Sequence, residues 1–213
     1  MELRGGLMNK GLIICGYPGI GKSSIAGWNN CIDLESSYFS RTEDGYMLCD
    51  KDWVTKYCKL AFDIARQGFT VLLSCHEVVR NKLKEIKDMK SNYFYPPVVI
   101  FCPRGEMKEA WGIRLMKRYN ETNLDKDFRA LEGAMRYWNR NMAHMTEQNF
   151  PVYCPMSIDY DLRDYILQIR KKEGCDDAEE TDSSLEQMAG VEETRLDDSV
   201  VEESTDTFRN HSE

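Results

Sequence analysis

The sequence predicts an α/β domain built on a parallel sheet. Between residues 11 and 171, short apolar runs of strand character alternate with stretches of helical periodicity. A glycine-rich segment, Gly16-Tyr17-Pro18-Gly19-Ile20-Gly21, follows the first of those runs. Charge is segregated along the chain: residues 174–213 hold 14 of the 36 acids and only Arg195 and Arg209 among the 28 bases. That segment is therefore net −12 and residues 1–173 are net +4, a mildly basic body under an acidic overall charge of −8.

The elements follow in order. Residues 11–16 (Gly-Leu-Ile-Ile-Cys-Gly) read as a buried strand bounded by glycines, with a helix expected from about Lys22. Cys31-Ile32-Asp33-Leu34 is a second strand ending in polar residues. From Asp50, expected as an N-cap, Trp53, Tyr57, Leu60, Ala61 and Ile64 recur at helical spacing until Gly68. Phe69–Ser74 is a third strand, Glu77 to about Lys90 a polar helix, and Pro97–Cys102 a fourth strand rich in β-branched residues. Residues 105–119 form a helix and 120–124 a link. A long helix from Asp125 to Asn149 places Phe128, Leu131, Met135, Trp138, Met142 and Met145 on one core-facing stripe. Val152–Cys154 is a fifth strand and Leu162–Lys171 a closing helix. Beyond Gly174 large apolar residues are too few to offset the entropy of ordering, so residues 174–213 are expected to be a disordered acidic tail.

Composition narrows the class. A chain of 213 residues with 42% apolar content carries one core, here residues 1–173, with room for a lid or tail. No apolar run reaches membrane-spanning length and the first ten residues lack a signal-peptide core, so a cytoplasmic location without membrane partners is expected. The eight cysteines show no C-x-x-C spacing, and Cys15 and Cys102 lie inside apolar runs, as reduced thiols do.

The chemistry sits in Gly16-Tyr17-Pro18-Gly19-Ile20-Gly21-Lys22-Ser23, a full match to G-x-x-x-x-G-K-S between a strand and an expected helix, with Ser24 following. Glycines let successive backbone N–H groups face a phosphate, and a helix beginning there adds its positive end. Lys22 brings a mobile cation to the β- and γ-phosphates of a nucleoside triphosphate, and the Ser23 hydroxyl is a ligand for Mg²⁺. The pattern alone leaves kinases, GTPases, motor ATPases and non-catalytic binders open.

With that motif on residues 11–170, the chain resembles the P-loop kinases that include nucleoside monophosphate kinases, shikimate kinase and gluconate kinase. The resemblance implies a three-layer sandwich on a five-stranded sheet of order 2-3-1-4-5, with a helical lid near residues 112–130. It implies ATP as donor, held by residues 16–24, and Mg²⁺ on Ser23 and Asp33. Asp33-Leu34-Glu35 matches the acidic acceptor site after the second strand in the small-metabolite members, which makes Asp33 the base or metal partner and Glu35 its companion. Arg114-Leu115-Met116-Lys117-Arg118 matches the R-x-x-x-R of the nucleotide enzymes. There Arg114 would pack on the base, and Arg118 would neutralise charge in the transferring phosphoryl group. By the same resemblance Arg80 would grip an acceptor phosphate, with His76 and Arg41 as further substrate contacts.

The chain departs from those enzymes in two places. The third strand ends in Ser74-Cys75-His76 with no acidic residue, and no D-G-x-P-R segment is present. The expected function is ATP-dependent transfer of a phosphoryl group to a small acceptor, a nucleoside or nucleotide first, with Lys22, Asp33 and Arg118 catalytic. The alternatives are a polynucleotide-end kinase using Lys82, Lys84, Lys87 and Lys90, and a nucleotide-bound switch or interaction module.

Overall fold

An unbroken apolar run of the sequence becomes the centre of the sheet. In the computed structural model, which describes residues 10–42, 50, 52–89, 95–147 and 150–176, β1 (Leu12–Gly16) is buried along its whole length. A strand covered on both faces has no polar side, which is why it reads as an unbroken apolar run. It pairs in parallel with β3 (Thr70–Ser74) and with β4 (Val98–Phe101). β2 (Cys31–Asp33) lies outside β3, and β5 (Val152–Tyr153) outside β4. All five strands are parallel, in the order β2-β3-β1-β4-β5. Register sets Gly16 opposite Ser74 on one side and Phe101 on the other. The chain leaves β1 toward one sheet edge and leaves β3 toward the other, so a crevice opens beyond the carboxyl ends of these strands.

The helices are α1 (Ser37–Ser40), α2 (Trp53–Ala65), α3 (Glu77–Met89), α4 (Lys108–Thr122), α5 (Asp125–Arg136), α6 (Trp138–Thr146) and α7 (Leu162–Lys172). Trp111 from α4, Trp138 from α6 and Ile166 and Ile169 from α7 join the β1, β3 and β4 side chains in one core. At the amino ends of the strands the buried Arg170 ties three segments together. It bonds Thr70 Oγ1 at 2.9 Å, the Lys10 carbonyl at 3.4 Å and the Asp176 carboxylate.

Four expectations about the elements change. No α-helix starts at Lys22; single 3₁₀ turns occupy Lys22–Ser24 and Trp28–Asn30. Gly27, Asn29 and Asn30 all take positive φ, which ends helical winding before β2. The expected 125–149 helix breaks at Tyr137 (φ −113°, ψ 24°) into α5 and α6. Leu131, Trp138 and Met145 are buried, Met135 and Met142 are half-buried, and Phe128 near the start of α5 is 47% exposed, with its ring 5.4 Å from that of Tyr119 of α4 between centroids. α4 runs through the expected 120–124 link to Thr122 and stops at Asn123, whose φ is +50°. Asp50 does not cap α2 directly. Its carboxylate takes the Asp52 amide at 2.8 Å and the Lys56 ammonium, forming a turn one step before the helix.

Ordered packing continues to Cys175, which is buried and whose amide bonds the Arg170 carbonyl at 2.8 Å. The rest of the expected tail, from residue 177, and Lys90 lie outside the described residues. Among the described residues no helix is long and apolar enough to cross a membrane.

Candidate functional site

The glycine-rich loop leaves β1 at the crevice and is held from several directions. The Tyr17 amide donates to the Phe101 carbonyl of β4 at 2.9 Å, Trp111 Nε1 to the Pro18 carbonyl at 2.8 Å, and the Tyr160 hydroxyl to the Ile20 carbonyl at 2.9 Å. Asn141 Nδ2 reaches the Tyr17 hydroxyl at 3.1 Å. Gly19 (φ +88°) and Gly21 (φ +98°) hold backbone conformations that L side chains resist, and a Cβ on Gly19 would sit 2.8 Å from Leu115 Cδ2. The amides of Gly19 and Gly21 meet no acceptor among the described residues. Two donors in a loop pinned by its carbonyls form an anion-seeking surface. A single 3₁₀ turn follows, so backbone amides supply the positive potential here without the expected helix end.

Lys22 and Ser23 leave this loop toward the strand ends. Lys22 Nζ turns back on the Gly16 carbonyl at 3.3 Å. Its pKa is lowered from 10.5 by burial, against the opposing pull of Asp33. Ser23 Oγ donates to Asp33 Oδ2 at 2.8 Å, which joins the residue after Lys22 to the end of β2. The other carboxylate oxygen, Asp33 Oδ1, is buried without a partner among the described residues, and so is Ser74 Oγ at the end of β3. Unpartnered buried oxygens beside a desolvated ammonium mark an unfinished polar site. Among the described residues no group of three or more His, Cys, Asp or Glu gathers. Ser23 and Asp33 nevertheless fit Mg²⁺, which takes few protein oxygens and keeps several waters. Ser24 turns away and bonds the Gly21 carbonyl at 2.6 Å.

A cleft of about 1660 Å³ brings these groups together with Glu35, Arg41, His76, Arg80, Arg114, Arg118 and Arg129. Of loop residues 16–24 Ile20 is the one that does not line the cleft, being buried in the core, while Tyr17 both lines the cleft and packs in the core. Arg114 stacks over Trp111 and Tyr160, 5.5 and 5.1 Å from the ring centroids, and bonds the Ile158 carbonyl at 2.9 Å. A planar cation is thus fixed on an aromatic platform next to the loop. Arg118 pairs at 2.6 Å with Asp127, a carboxylate only 2% exposed that also accepts from Thr122 Oγ1 at 2.6 Å. The R-x-x-x-R face therefore splits, one arginine to the aromatic platform and one to the α4–α5 corner. His76 stands at the rim, its imidazole pKa lowered by the surrounding protein and then by Lys22 and Arg80.

Arg80 is the most constrained of the candidates. It is 2% exposed, and Nη1 donates to the Cys75 carbonyl at 2.6 Å, which joins the start of α3 to the end of β3. Those bonds give it a structural task whatever it meets in the cleft. Arg140, which the sequence did not single out, lines the cleft. Lys82, Lys84 and Lys87 do not line it: Lys82 pairs with Glu85, and Lys87 lies over Phe150. Ser74, Asn141 and Tyr160 were also missed. Ser74 carried a signal as the residue standing where an acid was expected, but Asn141 and Tyr160 reach the loop from 124 and 140 residues away with no local pattern. No protein-family model matches the chain, and no curated protein does.

Proposed function

We propose that this protein is a P-loop kinase that transfers the terminal phosphoryl group of ATP to a small acceptor, a nucleoside or nucleotide first. The observation that carries the reading is the joined set Lys22–Ser23–Asp33: a desolvated ammonium, a hydroxyl and a half-satisfied carboxylate at the end of a loop with two unbonded amides. In this reading the loop amides and Lys22 hold the β- and γ-phosphates, and binding turns Lys22 Nζ from the Gly16 carbonyl to the ligand. Arg114, with Trp111 and Tyr160 behind it, lies against the base. Asp33 accepts the proton of the acceptor hydroxyl, its Oδ1 being the free acceptor. Arg118 exchanges Asp127 for the transferring phosphoryl group when α4 and α5 close on the cleft. Mg²⁺, held by Ser23 and Asp33 with water, would neutralise phosphate charge. Glu35, Arg41, His76, Arg80 and Arg129, all lining the cleft, are left to face the acceptor.

The test is ATP consumption with Mg²⁺ against pooled nucleosides, nucleotides, sugars and short oligonucleotides, with Asp33→Asn as the control. Stimulation by one pool, lost in the variant, supports the kinase and names its acceptor class. Binding of ATP with no stimulation by any pool would overturn it in favour of a nucleotide-bound switch, a reading favoured by the serine that ends β3 where hydrolytic enzymes carry an acid. The lysines of α3 lie off the cleft, which leaves the polynucleotide reading without a groove at the site.

A further inference from the structure

Two cysteines that the proposed transfer does not use stand side by side behind the glycine-rich loop. Cys102 follows β4 and Cys154 follows β5, one residue beyond the registered pair Phe101–Tyr153, and the Cys102 amide bonds the Tyr153 carbonyl at 3.1 Å. Neighbouring strands run about 4.8 Å apart, inside the Cα separation of about 4.4–6.8 Å that a disulfide spans. The two sulfurs are 4.0 Å apart. A proline follows each cysteine, Pro103 and Pro155, so neither chain can carry the strand ladder further with an amide donor. Closure needs roughly 2 Å of approach to the bond length of about 2.05 Å.

The pair is asymmetric. Cys102 is buried, whereas Cys154 is partly open to solvent. Arg104, held by the sulfur of Met156 at 2.7 Å, bridges the segments that follow the two cysteines and keeps its charge near Cys154. The contact shared by the two sulfurs, and then Arg104, lowers the Cys154 thiol pKa against the opposing effect of burial; the same contact and burial raise that of Cys102. A partly exposed thiol facing a buried one is the arrangement of an attacking and a resolving cysteine.

We propose that Cys154 and Cys102 form a reversible redox couple at the base of the glycine-rich loop, with hydrogen peroxide as the class of oxidant and a dithiol, which becomes a disulfide as it returns both cysteines to thiols, as the class of reductant. The Cys154 thiolate attacks one peroxide oxygen; an S–O bond forms, the O–O bond breaks and hydroxide leaves, giving a sulfenic acid at Cys154. Cys102 then gives up its proton and attacks the Cys154 sulfur. The S–S bond forms as the S–O bond breaks, and the departing hydroxide leaves as water. Two thiols are oxidised and one peroxide is reduced to two waters. Phe101, whose carbonyl anchors the Tyr17 amide, is the neighbour of Cys102, so the bond forms one residue from the loop's attachment. The inference rests on the sulfur geometry and is independent of the transfer reaction.

The experiment is peptide mass spectrometry of the full chain, reduced, then treated with hydrogen peroxide and digested without reductant. The expected product is one dominant cross-linked peptide pair joining Cys102 to Cys154, dissolved by dithiothreitol. Before oxidation a maleimide should label Cys154 at least about tenfold faster than Cys102. In Cys102→Ser, Cys154 should accumulate a sulfenic acid that a dimedone probe captures; in Cys154→Ala, Cys102 should stay reduced. Absence of the cross-link in the unmutated protein, a dominant cross-link between other cysteines, or oxidation of Cys102 without Cys154 would each overturn the proposal. The wild-type measurement needs no variant to fold.

Discussion

Replacing Lys22 by methionine should separate the stability of the fold from the capacity of the site. Among the described residues Lys22 Nζ makes one hydrogen bond, to the Gly16 carbonyl at 3.3 Å. Losing it costs no more than about 1 kcal/mol, and removing an ammonium that burial disfavours offsets that loss. The melting temperature of the free variant should therefore move by no more than about 2–4 °C in either direction. Ligand linkage should respond very differently. ATP with Mg²⁺ at a hundred times its Kd stabilises a protein by about 2.7 kcal/mol, a shift of about 5–10 °C for a domain of this size. Loss of a charge-assisted contact of about 1.5–3 kcal/mol weakens binding roughly ten- to hundredfold, which cuts the shift at the same ATP concentration to about half or less. The pH profile carries a sign. Because the folded pKa lies below 10.5, the unfolded chain binds more protons between the two values. The Lys22 contribution to stability thus rises with pH through that interval and is absent in the variant. Differential scanning fluorimetry reads all three. A variant that keeps the full ATP shift, or whose free form melts many degrees lower, would refute the assignment of Lys22 to the ligand.

Arg118→Ala leaves Asp127 buried with only Thr122 as its side-chain partner and should cost about 1–3 kcal/mol in urea unfolding, less than a fully buried pair because Arg118 is 43% exposed; an unchanged midpoint would remove the pair from the account of the α4–α5 corner. Gly19→Ala forces a Cβ at φ +88° to within 2.8 Å of Leu115 Cδ2, and should lower stability by roughly 1–3 kcal/mol and abolish the ATP-induced melting shift; retention of both would show that the loop reshapes freely. Tyr17, its phenol pushed up to about 12 by burial despite the bond from Asn141, should make stability fall as pH rises from about 10 to about 12. In Tyr17→Phe that share of the fall, at most about 2–3 kcal/mol, should be missing from alkaline denaturation curves.

Sequence alone determined the alternation of elements and the place of the glycine-rich loop, because both are local. An apolar run such as Leu12–Cys15 has one way to be buried on both faces, and residues 16–23 carry their chemistry in eight consecutive positions. Strand order was legible only through resemblance. Tertiary structure decided the rest. The helix expected after Lys22 gave way to turns because Gly27, Asn29 and Asn30 take left-handed backbone that no periodicity announces. The helix stripe from 128 to 145 split at Tyr137, beyond which Trp138 reaches the Gly105 carbonyl and the Tyr17 ring, contacts that no pattern along the stripe announces. Arg114 and Arg118, four residues apart on one face, went to different partners because Tyr160 and Asp127 meet them only in the folded chain. The bond from Ser23 to Asp33 spans ten residues, and the sulfurs of Cys102 and Cys154 meet across 52. Contacts between side chains distant in sequence depend on strand register, which is set by the burial of the whole sheet and by no short segment of it.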